Sequence, residues 1–170
     1  MELDQVHWFA RLGQSLLEPE LASAEQYLVA LGAGEISVSL VPDWVAAAEC
    51  AESPGFNTTW WEAEEMLRAA LTAEALEVID ETEFTLAMTR LGEKASQVAT
   101  GPTEEAAALA GVSDMDLVRA ALGSVVQACY LRGLADLSGA DADHAFIHKF
   151  ALLEAGRWPI SVTGETFHLF

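Results

Sequence analysis

Between Leu12 and Leu67 the chain carries no lysine and no arginine, yet it places ten carboxylates there, among them Glu20, Glu35, Asp43, Glu62, Glu64 and Glu65. Like charges crowded together oppose compaction. A fold can accept such a stretch where the carboxylates stay in water, or where a basic partner neutralises them. The imbalance is global as well as local. Asp and Glu total 27 against 8 Lys and Arg, a formal net charge of -19. Residues 1–85 hold 17 acids and two bases, Arg11 and Arg68, whereas residues 86–170 hold ten acids and six bases. Free nucleic acid and anionic membrane both require a cationic face, so neither is expected as a partner.

The charge does not imply disorder, because hydrophobic residues make up 52% of the chain and the mean hydropathy is +0.24. A length of 170 residues suits a single domain spanning 1–170. The opening Met1-Glu2-Leu3-Asp4-Gln5 has neither the cationic start nor the apolar run of a secretory signal. No stretch approaches the ~20 consecutive apolar residues of a membrane span. Cys50 and Cys129 both lie in Ala-rich helical patterns and read as reduced, buried thiols. Together these features predict a soluble cytoplasmic protein.

Helical periodicity dominates. Val6, Phe9, Ala10, Leu16 and Leu17 make one stripe of a first helix. Leu21, Ala24, Leu28 and Leu31 make that of a second, with Pro19 in its first turn and Gly32 and Gly34 at its stop. Pro42-Asp43 opens a short helix to Ala51. Thr59 and Glu62 match a capping box that starts the next helix at Trp60 and carries it to about Leu71. Another runs from Ala73, with Leu76, Ile79, Leu86, Leu91 and Val98 as its buried side, and ends before Gly101-Pro102. Helices follow over roughly 104–110, 114–137 and 142–155. Residues 35–41 alternate as a short strand. Near the C-terminus, a Gly164-Glu165 turn sets Val162 opposite Phe167 and Ile160 opposite Leu169, as a type II′ hairpin requires. The predicted fold is mainly α (α+β): a helical bundle-like body with a small antiparallel sheet formed by the C-terminal hairpin and strand 35–41.

The run Glu104–Leu122, with Gly111 at a turn and Ser113 before Leu117-Val118, resembles the helix-turn-helix of bacterial repressors. That resemblance implies DNA reading by the second helix. The sequence departs from it where contacts belong, since Asp114, Met115 and Asp116 occupy the N-terminal end of that helix and the acids would repel phosphate. A plain helical corner is the expectation.

For chemistry, His144 and His148 lie one turn apart on a helix face and Asp141 one turn earlier, a spacing that could hold a transition metal. Equally, Asp141 or Asp143 serves as an N-cap and the histidines as ordinary surface residues. No Walker loop, Gly-x-Gly-x-x-Gly, Gly-x-Ser-x-Gly or Cys-x-x-Cys is present, and no cofactor is expected. Adjacent Trp60 and Trp61 point about 100° apart on a helix and cannot both face the same core, so either one stands partly exposed beside Glu62, Glu64 and Glu65 or both bury at a junction of helices. Trp60, Trp61, Glu62, Glu64 and Glu65 are thus the candidate partner-binding residues. The function expected is a non-enzymatic, acidic protein-interaction module docking a basic protein, of the inhibitor or immunity type. The alternative is a small metal-dependent enzyme or ligand-binding protein built on Asp141, His144 and His148. A homo-oligomer using the hairpin and Phe170 as an edge is a third expectation. Solubility, or adaptation to a salty host, would account for the acidity without any partner.

Overall fold

Short polar side chains that can hold free backbone N–H groups set where the helices begin. In a computed structural model of all 170 residues, Asp43 caps α2 (Trp44–Ala51), Asn57 caps α3 (Thr58–Val78) and Asp80 caps α4 (Glu81–Leu109). Asp114 caps α5 (Met115–Ser138) and His144 caps α6 (Ala145–Glu154). Ahead of these, α1 spans Glu18–Ala30, and Glu20 reaches back to accept the Leu17 N–H at 2.8 Å. Three strands complete the chain: β1 (Ser37–Leu40), β2 (Pro159–Thr163) and β3 (Thr166–Leu169). The protein is mainly α with a small sheet, as the sequence predicts.

Several boundaries differ from the sequence reading. The capping residue of α3 is Asn57, whose Oδ1 accepts the Trp60 N–H at 2.9 Å, so Thr59 and Glu62 form no capping box. α3 runs on past Leu71 to Val78, and the break falls at Asp80, whose carboxylate accepts the N–H groups of Thr82 and Glu83. Pro102 does not end a helix but sits inside α4. An interior proline costs about 3 kcal/mol. Here Ala95, Ala99, Thr103 and Ala107 are buried along one stripe of the same helix, and that packing holds it through the proline.

No helix forms over residues 6–17. A 3-10 turn at Leu3–Gln5 leads into irregular turns, with Phe9 at φ 59° and Gly13 at φ 68°. The reason is long-range. Arg157, fully buried, donates to the carbonyls of Arg11, Gln14 and Ser15 at 2.6–2.7 Å, and a helix would spend its carbonyls on its own N–H groups.

The hairpin forms with Gly164 at φ 56°. Val162 faces Phe167, Ser161 faces His168 and Thr163 faces Thr166, as predicted, but a register shift leaves Pro159, not Ile160, opposite Leu169. β1 joins the sheet, although not in the expected antiparallel sense: it runs parallel to β3, giving the mixed order β1-β3-β2. A parallel neighbour needs a long crossover, and five helices lie between β1 and β3. The outer edge of β2 is occupied. The Asn57 N–H donates to the Val162 carbonyl at 2.8 Å and the Gly164 N–H to Gly55 at 3.1 Å. Phe170 is buried and exchanges both backbone hydrogen bonds with Trp158. These bonds occupy the hairpin edge at residues 162–164 and both backbone groups of Phe170.

The stretch 104–122 is part of a long helical hairpin rather than a compact DNA-reading corner. Gly111 makes the turn at φ 71°, and α4 and α5 stay in contact far from it, with Leu91 and Met88 lying on the bare Cα of Gly133. No helix is long and apolar enough to cross a membrane.

Candidate functional site

Asn57 fixes the start of α3 at both ends of its amide: Oδ1 holds the Trp60 N–H, and Nδ2 donates to the Gly164 carbonyl at 2.7 Å. From that anchored start the helical step of about 100° turns Trp60 inward and Trp61 outward. Trp60 is 8% exposed and Trp61 49%. The Trp60 indole N–H donates to the Tyr27 hydroxyl at 2.7 Å, and that hydroxyl donates to Glu64 Oε1 at 2.7 Å. Lys149 Nζ, on α6, reaches the same carboxylate oxygen at 2.5 Å and lies 5.6 Å from the ring centroids of both Tyr27 and Trp60.

Two of the five candidate partner-binding residues are thereby corrected. Glu64 is only 5% exposed and paired, and Trp60 is core, so neither can meet another protein. Trp61 and Glu62 are exposed, and Glu65 is half-buried and tied to Arg68 at 2.6 Å. Burial, with the Glu64 charge and hydrogen bond behind it, pushes the Tyr27 hydroxyl well above its usual range, so it stays a donor. Further along the outward side of α3, Met66 is 72% exposed and Leu76 42%. Leu76 was expected on a buried side. The unbroken passage of α3 through residues 71–73 carries it round to the solvent.

A second carboxylate from the base-free stretch is also buried. Glu20 Oε2 accepts from Arg157 Nη2 at 2.8 Å and Oε1 from Arg11 Nε at 2.6 Å. Burial raises its carboxyl, but the Arg157 and Leu17 hydrogen bonds and the two guanidinium charges outweigh that and hold it below its ordinary value. Across the molecule seven of the eight basic side chains are ion-paired, Arg90 alone excepted, whereas only six of the 27 acids have such a partner.

The metal candidates do not converge. His144 spends Nδ1 on the Phe146 N–H at 3.2 Å as the cap of α6, and burial lowers its imidazolium pKa. Asp141 and Asp143 are exposed, neither caps the helix, and nowhere do three or more His, Cys, Asp or Glu side chains stand together as a metal site. Both cysteines are free thiols, and burial pushes Cys129 up to about 12. An apolar groove of about 510 Å³ runs between Trp8, Trp44, Pro102, Leu109 and Phe170. Glu105 is its one charged lining residue, with no second acid, base or nucleophile across from it. Comparison of the chain with protein-family models, with curated proteins and with solved structures gives no match.

Proposed function

We propose that this protein is a non-enzymatic interaction module that docks a basic protein onto its acidic exterior. One observation carries the reading: nearly every cation is consumed inside the molecule, leaving most of the 27 carboxylates without a counter-charge. Such a surface raises the encounter rate with a cationic partner and turns away anionic ones.

The test begins with the protein immobilised in host lysate. Basic proteins should be retained at low salt and released at high salt. With the retained protein purified, Glu62→Lys on α3 should slow association several-fold more than Glu104→Lys with Glu105→Lys on α4. Retention of no basic protein, or no slowing by either charge reversal, would reduce the acidity to a solubilising coat.

A further inference from the structure

On the outward side of α3 the residues Glu62, Met66, Ala69, Ala73 and Leu76 recur at spacings of 4, 3, 4 and 3, and all five are exposed. That is the heptad spacing of a helix-pairing seam, about 21 Å long, at a rise of ~1.5 Å per residue. Scattered apolar residues on a surface need no explanation. An aligned series on one rigid helix is different, because Met66 and Leu76 could insert beside a partner's side chains while Ala69 and Ala73 let its backbone come close. Uncompensated acids flank the seam on one side, and an acid already paired flanks it on the other. Glu65 lies along one flank with Trp61, and Glu74 and Glu77 lie along the other. The only cation nearby, Arg68, is already bound to Glu65.

We infer that α3 is the docking surface itself, and that its occupant is an amphipathic helix with apolar residues at heptad spacing and Lys or Arg on its flanks. This rests on the basic-partner reading above and narrows it to one surface and one partner geometry. Charge decides the occupant. A second copy of α3 would bring its own Glu62, Glu74 and Glu77 to the same interface, whereas a helix with Lys or Arg opposite these uncompensated carboxylates meets them with opposite charge.

Three labelled synthetic peptides serve as probes: a helical peptide with Leu on the seam and Lys on the flanks, the same composition scrambled, and the patterned peptide with Glu flanks. Binding is read by fluorescence anisotropy to the full chain and to Met66→Glu and Ala73→Glu, each checked for native circular dichroism and melting. Both variants add negative charge, so a purely electrostatic interaction would tighten. Docking on the seam predicts the opposite, about tenfold weaker binding of the patterned basic peptide, a loss worth ~1.4 kcal/mol. Equal binding of patterned and scrambled basic peptides, with tightening by Met66→Glu, would overturn the seam and leave the electrostatic reading standing. If neither basic peptide binds, the seam falls, and the basic-partner reading stands or falls with retention of basic proteins from lysate at low salt. A concentration-dependent dimer in sedimentation that Met66→Glu abolishes would make a second copy the occupant and overturn the proposal.

Discussion

Glu20 and Glu64 share an origin in the base-free stretch, and each meets a cation supplied by the last quarter of the chain, but the two sites are built differently. At Glu20, every N–H of the Arg157 guanidinium is used: Nε and Nη2 toward the carboxylate, and Nη1 and Nη2 toward the carbonyls of Arg11, Gln14 and Ser15. At Glu64, Lys149 makes one hydrogen bond, to the carboxylate, and rests against two aromatic rings. A planar fork with five donors can organise a loop, whereas a compact ammonium chiefly cancels a charge. The comparison teaches that burying an acid and shaping a chain are separate tasks. Arg157 performs both, and Lys149 the first.

The largest effect expected is from Arg157→Ala, which leaves Glu20 with Arg11 as its one cation, removes a donor from the Arg11 and Ser15 carbonyls and leaves the Gln14 carbonyl with none. A loss near 5 kcal/mol, the top of the range for breaking a buried pair, should be seen in urea unfolding, with Lys149→Ala nearer 3 kcal/mol. Equal losses would break the comparison. Replacing both partners sharpens it. Glu64→Met with Lys149→Met should recover to within about 1 kcal/mol of the parent, because a buried pair exchanged for apolar groups is often neutral. Glu20→Met with Arg157→Met should stay at least ~3 kcal/mol below it, since the Gln14 carbonyl is left without a donor and the Arg11 guanidinium loses its carboxylate. Next in size is Tyr27→Phe, which removes a donor from Glu64 and an acceptor from Trp60, and should cost about 1–2 kcal/mol by the same measurement.

The Glu20 site also carries a pH response. Because the folded Glu20 carboxyl lies below its ordinary value of 4.5, its stabilisation is fully present above pH 4.5 and is lost as pH falls through the lower folded value. The stability gap between the parent and Glu20→Gln should therefore narrow steadily below pH 4.5 in acid unfolding. A gap independent of pH would remove the charge-based account of that site. The smallest effect belongs to Trp61→Ala, at the exposed start of α3, which should change stability by less than about 0.5 kcal/mol while altering encounter with a basic probe.

Legibility from sequence followed the range of the forces involved. The hairpin was readable because its turn and its alternating residues lie within ten positions of one another, and only the bulge at Ile160 escaped. That Trp60 and Trp61 could not both face one core was readable, but whether both would bury at a helix junction, or which one would turn out, depended on how Asn57 starts α3. Glu64 was misplaced because its counter-charge lies 85 residues away, and nothing in the local pattern of Glu62, Glu64 and Glu65 marks which one turns inward. The stripe on α3 was hidden by the break expected after Leu71. Once the helix runs unbroken to Val78, Met66, Ala69, Ala73 and Leu76 fall into line, and a heptad count across that break was the signal available.

The amino-acid order by itself determined the helical majority, the C-terminal hairpin and the excess of acid, since caps, turns and period are set by neighbours a few residues apart. Tertiary structure alone decided that residues 6–17 would not coil into a helix, that β1 would run parallel to β3, and that two acids would be buried. Each of those outcomes depends on a partner far along the chain: three loop carbonyls waiting for Arg157, a strand reached only after five helices, and a carboxylate whose charge Lys149 cancels across the core.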